Sequence, residues 1–345
     1  MTRARRIAIE ARAKLNLTLA VGPPRDDGFH DLVTVFQSVS LADTLVVEPR
    51  RHGFTLVVRH EEVSLAGRGG APGGVRRNGR GRRAGRPIPG RPIREGSRPA
   101  LGTRGRIEVP AGARNLVLRA ARRMAEEIAL GAGARFTLVK RIPAGAGLGG
   151  GSADAAAVIR ALPALYGREL APARRRRIAL ELGSDVPFLL SGGTALGRSR
   201  GERLTPIGLV APFRALVAVP EWRVSTPVAF ARIDRGKYGL TPRGVNLRSA
   251  QILGRKPLSA ASLMRLGNTF EKVLGNRRSD FHSLCGRLRR AGAVAVRMTG
   301  SGSAVFAVLG PGSSIHKVVG RFTGSEKLYA VRSARRGIRR HVDVA

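Results

Sequence analysis

Five glycines lie within residues 145–151, directly before an alanine-rich segment that begins at Ser152. Glycine lets backbone N–H groups approach an anion closely, because no side chain stands in the way. The free N–H groups and positive dipole at the start of a following helix also favour phosphate. The loop matches neither a Walker A motif nor the Gly-x-Gly-x-x-Gly pattern of a dinucleotide-binding first strand. It therefore predicts a phosphate-binding loop of another class, in which the Ser152 hydroxyl could reach a phosphate oxygen or its magnesium ion.

Lys14, Asn16 and Asp185 are candidates for acid–base chemistry. Lys14 and Asn16 are two residues apart in a predicted strand, so their side chains lie on the same, polar face of it. Asp185 follows a helix end and precedes Pro187, where a carboxylate could accept a proton from a hydroxyl group or could cap the next turn. Lys14 could equally be a solvated surface lysine. Residue type and spacing leave both alternatives open.

Two other segments contain residues suited to contact with a ligand. Phe29 and His30 follow an Asp-Gly turn and could either pack in a loop or meet a ligand. The Gly-Ser-Gly sequence at 300–302 lies between two apolar segments. It could be a plain hairpin turn or a place where the backbone approaches a ligand.

The first half of the chain must position most of these residues. Apolar residues at alternate positions over 7–19 predict a long strand with one buried face. Residues 44–49 and 54–59 predict a strand pair joined at 50–53. Residues 115–130 predict a helix with Asn115 as its N-cap, and 134–142 predict a strand.

The glycine loop is then expected to enter a helix from about Ser152. Pro163 predicts that this helix ends near Leu162 or kinks there. Residues 171–182 predict a further helix, closed by Gly183.

The second half begins near Ala211 with a strand. Residues 293–298 and 303–310 predict a hairpin, and 327–334 predict a closing strand. Because strands and helices mix without a strict βαβ rhythm, the expected class is α+β in two domains, 1–208 and 209–345.

The charge of the chain is strongly positive. Lys and Arg number 62 against 23 Asp and Glu, which gives a formal net charge of +39. Such a charge attracts nucleic acids, acidic membranes or phosphorylated small molecules, although a genome that favours Arg codons would also produce it. Residues 66–106 concentrate Gly, Arg and Pro, which predicts a disordered insertion rather than a packed segment. The alternative is an arm that binds RNA or phosphate.

Cys285 is the single cysteine, so no intrachain disulfide can form and a reducing compartment is expected. No apolar run approaches the roughly 18 residues needed to span a bilayer. We therefore expect a cytoplasmic protein that has no membrane partner.

Together these segments resemble the superfamily of galactokinases, homoserine kinases and mevalonate kinases. The loop PAGAGLGGGSADAA is typical of the superfamily as a whole. The blocks DGFH and GSDVPF are similar to those of its kinases for a cytidine-diphosphate sugar alcohol in the non-mevalonate route to isoprenoid precursors. The resemblance covers nearly the whole chain except residues 66–106. It implies a ribosomal-protein-like N-terminal domain, a ferredoxin-like C-terminal domain, and ATP and Mg²⁺ as cofactors.

The resemblance also implies a role for each candidate residue. Asp185 would accept or orient the proton of the substrate hydroxyl, Lys14 would stabilise Asp185, and Asn16 would position the reacting group. Phe29 would stack on the cytosine ring and His30 would bind its edge, with Pro220 as a further substrate contact. The ATP phosphates would be wrapped by Pro143, Ala144, Gly145, Ala146, Gly147, Leu148, Gly149, Gly150, Gly151, Ser152 and Ala153.

The expected partners are thus ATP and a cytidine-diphosphate derivative, with no nucleic acid. One alternative is another kinase of the superfamily, acting on homoserine or mevalonate, whose substrate has no aromatic base for Phe29 and His30 to hold. A basic nucleic-acid-binding protein is the alternative from a different class. In residues 267–273, Thr269 stands where the family has an acidic residue, which leaves the role of Asn268 open.

Overall fold

The computed structural model describes residues 6–65, 112, 114–207, 211–253 and 258–342. The predicted insertion at 66–106 lies outside the described residues. The strands are β1 (Ile7–Pro24), β2 (His30–Arg50), β3 (Phe54–His60), β4 (Gly133–Lys140), β5 (Thr194–Arg198), β6 (Arg203–Pro206), β7 (Arg214–Val219), β8 (Ala293–Met298), β9 (Val305–Leu309), β10 (Lys327–Arg332) and β11 (Ile338–Val342). The helices are α1 (Leu116–Glu127), α2 (Gly150–Leu165), α3 (Pro172–Leu182), α4 (Val186–Ser191), α5 (Thr226–Gly236), α6 (Pro242–Leu253), α7 (Ala260–Met264), α8 (Arg278–Arg290) and α9 (Ile315–Arg321).

The first sheet is built on the long antiparallel pair of β1 and β2. Its order is β11-β1-β2-β4-β3, and β5 and β6 extend it from the first half of β2. The long strand predicted at 7–19 is confirmed and continues to Pro24. Residues 13–21 are buried on both faces, because the second half of β1 is covered on each side. The polar face that carries Lys14 and Asn16 is therefore inside the protein.

The predicted pairing of residues 44–49 with 54–59 is wrong. Both segments are strands, but β4 lies between them: it pairs antiparallel with β2 and parallel with β3. A parallel pair needs a long crossover connection, and α1 lies in the connection that leads from β3 to β4. The Asn115 cap is confirmed, since its side-chain oxygen accepts from the backbone N–H of Val117 at 2.8 Å.

The second sheet has the order β10-β7-β9-β8. The predicted hairpin is confirmed as the antiparallel pair β8 and β9. Residues 327–332 form β10, but they do not close the chain, because β11 returns to the first sheet and pairs with β1. The domain boundary at 208/209 stays a prediction. Strand β11 belongs to the predicted second domain, 209–345, but pairs with β1 in the first sheet.

Helix α2 carries the glycine loop at its start and is almost wholly buried. It continues through Pro163 to Leu165, so the proline lies in its last turn, where it removes one helical hydrogen bond and only two helical residues follow it. Helix α3 ends at Gly183 as predicted. Among the described residues, none of the helices is long and apolar enough to span a membrane.

Candidate active site

The glycine loop folds tightly against neighbouring backbone. Gly145, Gly147 and Gly149 have φ angles of 65°, 80° and 73°, which favour glycine. A Cβ on Gly147 would lie 2.3 Å from the carbonyl oxygen of Thr299, so only glycine fits there. The backbone N–H of Lys14 donates to the Leu148 carbonyl at 3.0 Å, and that of Ala304 donates to the Ala146 carbonyl at 3.1 Å. Both sheets thus hold the loop that leads into α2.

Lys14 and Asp185 converge beside this loop, although they are far apart in sequence. The Lys14 amine lies 3.4 Å from a carboxylate oxygen of Asp185. Asp185 precedes α4 but makes no side-chain hydrogen bond to cap it. The capping alternative is therefore wrong, and so is a solvated Lys14, whose side chain is only 5% exposed against 33% for Asp185. The carboxylate keeps a face open to the cavity.

Asn16 orients the Lys14 amine. Its side-chain oxygen accepts from the Lys14 amine at 2.6 Å and from the backbone N–H of Gly300 at 3.0 Å. Its side-chain nitrogen donates to the hydroxyl of Thr34 at 2.8 Å. These partners fix the amide orientation, and they show that Asn16 contacts the lysine directly.

The Gly-Ser-Gly turn of the second sheet completes this network. The backbone N–H of Asn16 donates to the hydroxyl of Thr299 at 3.0 Å. Asn268 donates to the carbonyls of Met298 and Gly300 at 3.0 and 2.9 Å and so anchors the turn. Thr269 accepts from the backbone N–H of Val21 at 3.2 Å, which ties the same segment to β1. The turn therefore forms part of the site.

A cavity of about 430 Å³ extends from this network to an aromatic end. Lys14, Asp185 and Ser152 lie at its polar end, and Phe29, His30 and Phe230 line the other. His30 stacks on Phe230, with ring centroids 4.8 Å apart, and its Nδ1 lies 3.2 Å from the Gly22 carbonyl oxygen. Phe29 is 46% exposed, and the guanidinium of Arg200 lies over its ring, 4.5 Å from the centroid.

Phe230 was missed by the sequence reasoning, which looked for a second wall at Pro220. Pro220 is buried after β7 and does not line this cavity, so its predicted substrate contact gains no support. Phe230 lies on α5, where the spacing of the apolar residues is that of an ordinary packed helix. Only the approach of α5 to the DGFH loop reveals it.

A second cavity, of about 410 Å³, lies on the other side of the glycine loop. Every residue predicted to wrap the ATP phosphates lines it, from Pro143 to Ser152, except Ala153, which is buried within α2. Gly145, Gly147, Gly149 and Ser152 line both cavities. A phosphate chain seated on the loop would therefore reach from one cavity to the other.

A buried group of charges supports the loop from behind, and the sequence reasoning missed it as well. The Lys140 amine contacts the carboxylates of Asp43 and Asp154, the latter at 2.7 Å. Asp43 also accepts from the backbone N–H groups of Arg141 and Ile142, at 2.6 and 2.8 Å. Burial raises the pKa of Asp154 well above its usual range, with the nearby Asp43 carboxylate adding to the effect. Burial lowers the pKa of Lys140, but the two carboxylates outweigh this and raise it.

The fold is that of the GHMP kinases. Models of the GHMP kinases N terminal domain and of the GHMP kinases C terminal domain match residues 115–193 and 253–324. A homoserine kinase from Cytophaga hutchinsonii has a similar structure, with a TM-score of 0.59 over 99% of this chain and 98% of its own. At 16% identity, that likeness shows the fold alone.

The chain belongs to the 4-diphosphocytidyl-2-C-methyl-D-erythritol kinase family. A curated relative of that name from Solibacter usitatus is 34% identical over 307 residues, which are 88% of this chain and 82% of the relative. A crystal structure of 4-(cytidine 5'-diphospho)-2C-methyl-D-erythritol kinase is 31% identical, with a TM-score of 0.65. The match covers 94% of this chain and 98% of that one.

Proposed function

We propose that this protein transfers the γ-phosphoryl group of ATP to the 2-hydroxyl group of 4-diphosphocytidyl-2-C-methyl-D-erythritol. The observation that carries the proposal is the joining of two cavities by one glycine loop, with Lys14 and Asp185 on the acceptor side. Phosphoryl transfer depends mainly on positioning and on neutralising charge, and this arrangement supplies both.

In this mechanism the acceptor hydroxyl lies beside Asp185. Its oxygen attacks the γ-phosphorus as the bond to the bridging oxygen of ADP breaks. The hydroxyl proton passes to the Asp185 carboxylate, and the Lys14 amine, 3.4 Å from that carboxylate, stabilises the negative charge that develops on the attacking oxygen. Asn16 and the Thr299–Gly300 turn hold the amine in place.

The aromatic end of the cavity favours a substrate with a ring. Cytosine would stack on the exposed ring of Phe29, beside the stacked rings of His30 and Phe230, and His30 would hydrogen-bond its polar edge. A site built on such hydrogen bonds rejects ligands that leave its polar groups unpaired. This end favours the cytidine substrate over homoserine or mevalonate, which have no ring to fill it.

The residues of the loop fit a magnesium ion delivered with ATP. Among the described residues, no group of three or more His, Cys, Asp or Glu could hold a metal. Mg²⁺ commonly binds through one or two protein oxygens together with phosphates and water. The Ser152 hydroxyl, which lines both cavities, is an oxygen donor of that kind. When bound, the ion would neutralise charge on the phosphates. The lone cysteine favours the cytoplasm as the compartment.

The test is a panel of hydroxyl acceptors with labelled ATP, in which only the cytidine-diphosphate alcohol should become labelled. Asp185→Asn should reduce turnover by roughly a hundredfold or more while ATP binding is retained. Phe29→Ala should raise KM for the cytidine substrate and leave KM for ATP unchanged. Equal labelling of homoserine or mevalonate, or full turnover by Asp185→Asn, would contradict the proposal.

A further inference from the structure

Four arginines line one cavity at the opposite end of α2 from the glycine loop. This cavity, which we name the arginine cavity, has a volume of about 510 Å³ and is lined by Arg160, Arg168, Arg175 and Arg336. Apolar side chains, among them Ile159, Leu170, Leu190 and Ile338, form its floor. Arg160 lies ten residues after the start of α2 at Gly150, so about 15 Å of helix separates it from the loop. The arginine cavity is distinct from both cavities of the proposed active site.

None of the four guanidinium groups has a carboxylate partner among the residues that the structure describes. Glu169 also lines the cavity, but no ion pair joins it to any of them. Arginines on the neighbouring surface behave differently: Arg123, Arg174 and Arg177 all pair with Glu127. Glu127 is thus already shared by three arginines outside the cavity.

Gathering unpaired positive charges around a concave surface costs free energy. Burial lowers the pKa of Arg160, and the nearby charge of Arg175 lowers it further. The Nε atom of Arg175 is buried and has no hydrogen-bond partner among the described residues. The partial negative charge at the end of α2 attracts cations within its last turn, but this accounts for one arginine better than for four. An anion in the cavity would relieve the repulsion.

We propose that the arginine cavity binds a small anion that carries a diphosphate group. Guanidinium groups bind phosphate oxygens through paired hydrogen bonds, and four of them exceed what one phosphate group needs. The volume lies within the range of small-molecule sites. A nucleic acid fits less well, because no aromatic side chain lines the cavity to stack on a base. This site is independent of the proposed kinase reaction.

The test is calorimetric titration of the full chain with inorganic pyrophosphate. A non-hydrolysable ATP analogue, at saturation throughout, keeps the glycine loop occupied. We expect one pyrophosphate per chain, with weaker binding of inorganic phosphate. The double variant Arg160→Ala/Arg175→Ala should bind pyrophosphate roughly tenfold more weakly or worse, because charge-assisted hydrogen bonds are lost.

The matched control is Arg119→Ala/Arg176→Ala, which removes the same charge at two exposed positions outside the cavity. It should keep pyrophosphate affinity within about twofold, since only the general field changes. Both double variants should retain kinase turnover, which shows that they fold. The proposal is overturned if the wild type binds no pyrophosphate under these conditions, or if both variants lose pyrophosphate affinity equally. It is also overturned if the two variants differ in their affinity for RNA but not in their affinity for pyrophosphate.

Discussion

Two lysine–carboxylate groups flank the glycine loop, and their surroundings differ sharply. Lys14 and Asp185 lie 3.4 Å apart at a cavity wall, where a third of the Asp185 side chain is exposed. Lys140, Asp43 and Asp154 are buried beside the loop, with side chains at most 4% exposed, and Lys140 and Asp154 also line the second cavity. The first pair has a carboxylate that a ligand can reach. The carboxylates of the second group are almost fully buried, at most 3% exposed.

This difference in exposure separates a pair suited to catalysis from a group that stabilises the fold. A charge removed from water is costly unless it is paired, so the buried group is sensitive to the loss of its cation. A half-exposed carboxylate can be hydrated when its partner is removed, so the same change costs less stability there. Changes at the first pair should therefore alter turnover, and changes at the second should alter folding.

The largest effect on stability is expected for Lys140→Met. This variant leaves two buried carboxylates without their cation, which should lower the free energy of unfolding by about 3–5 kcal/mol. Urea-induced unfolding measures the loss. As the control, Lys327→Met removes the cation of an exposed pair with Glu62 and should cost less than about 1 kcal/mol. Equal losses in the two variants would show that the buried group has no special role.

Lys14→Met, in the first pair, should reduce turnover strongly and stability only slightly, the reverse of what is expected for Lys140→Met. Turnover should fall by roughly a hundredfold to a thousandfold, because the charge beside Asp185 is removed from the reacting centre. The loss of stability should be smaller than for Lys140→Met, since Asp185 can be hydrated and the Asn16 oxygen keeps its bond from Gly300. Steady-state kinetics and urea unfolding on the same sample separate the two. Turnover within a few-fold of the wild type would refute the catalytic assignment.

Gly147→Ala tests the loop that lies between the two groups. The added Cβ combines a φ angle of +80° with a 2.3 Å approach to the Thr299 carbonyl oxygen, so the loop must move. We expect a loss of about 1–3 kcal/mol in stability and a raised KM for ATP. Gly167→Ala is the matched control, with a φ of +63° and open space around the added atom. Gly167→Ala should lose some stability but keep its KM for ATP. The same change in KM in both variants would show that the close contact of Gly147 with Thr299 does not determine ATP binding.

The smallest effect is expected for Asp154→Asn, and it should depend on pH. The folded state raises the pKa of Asp154 above its ordinary value of 3.8, so the folded state holds the proton more tightly than the unfolded chain. The stability due to this group is fully present below the unfolded pKa and is lost as pH rises through the raised pKa. Asparagine does not titrate, so the variant should gain stability relative to the wild type between pH 4 and pH 8.

At pH 4 the two proteins should differ by less than about 1 kcal/mol, because asparagine resembles the protonated carboxyl group. Asp280→Asn, at a half-exposed position on α8, is the control and should show no such trend. A difference between Asp154→Asn and the wild type that stays flat or falls with pH would mean that Asp154 is ionised in the folded protein.

Local patterns predicted much of this molecule from sequence. The alternation over 7–19 predicted β1, Asn115 predicted the start of α1, and the glycine-rich segment predicted the loop before α2. The pairing of strands was less accessible. Residues 44–49 and 54–59 are separated by a plausible turn, and nothing local indicates that β4 inserts between them. The return of β11 to the first sheet was hidden for the same reason.

The sequence by itself determined which residues are able to do chemistry here, because backbone freedom, charge and ring shape are properties of Gly147, Lys14 and Phe29 taken singly. Tertiary structure alone decided how they are used. It placed Lys14 against Asp185, brought Phe230 rather than Pro220 to the cavity, and sealed Lys140 with two carboxylates. The physical reason is that burial and pairing depend on contacts between different segments of the chain, many of them about a hundred or more residues apart, which no local pattern records.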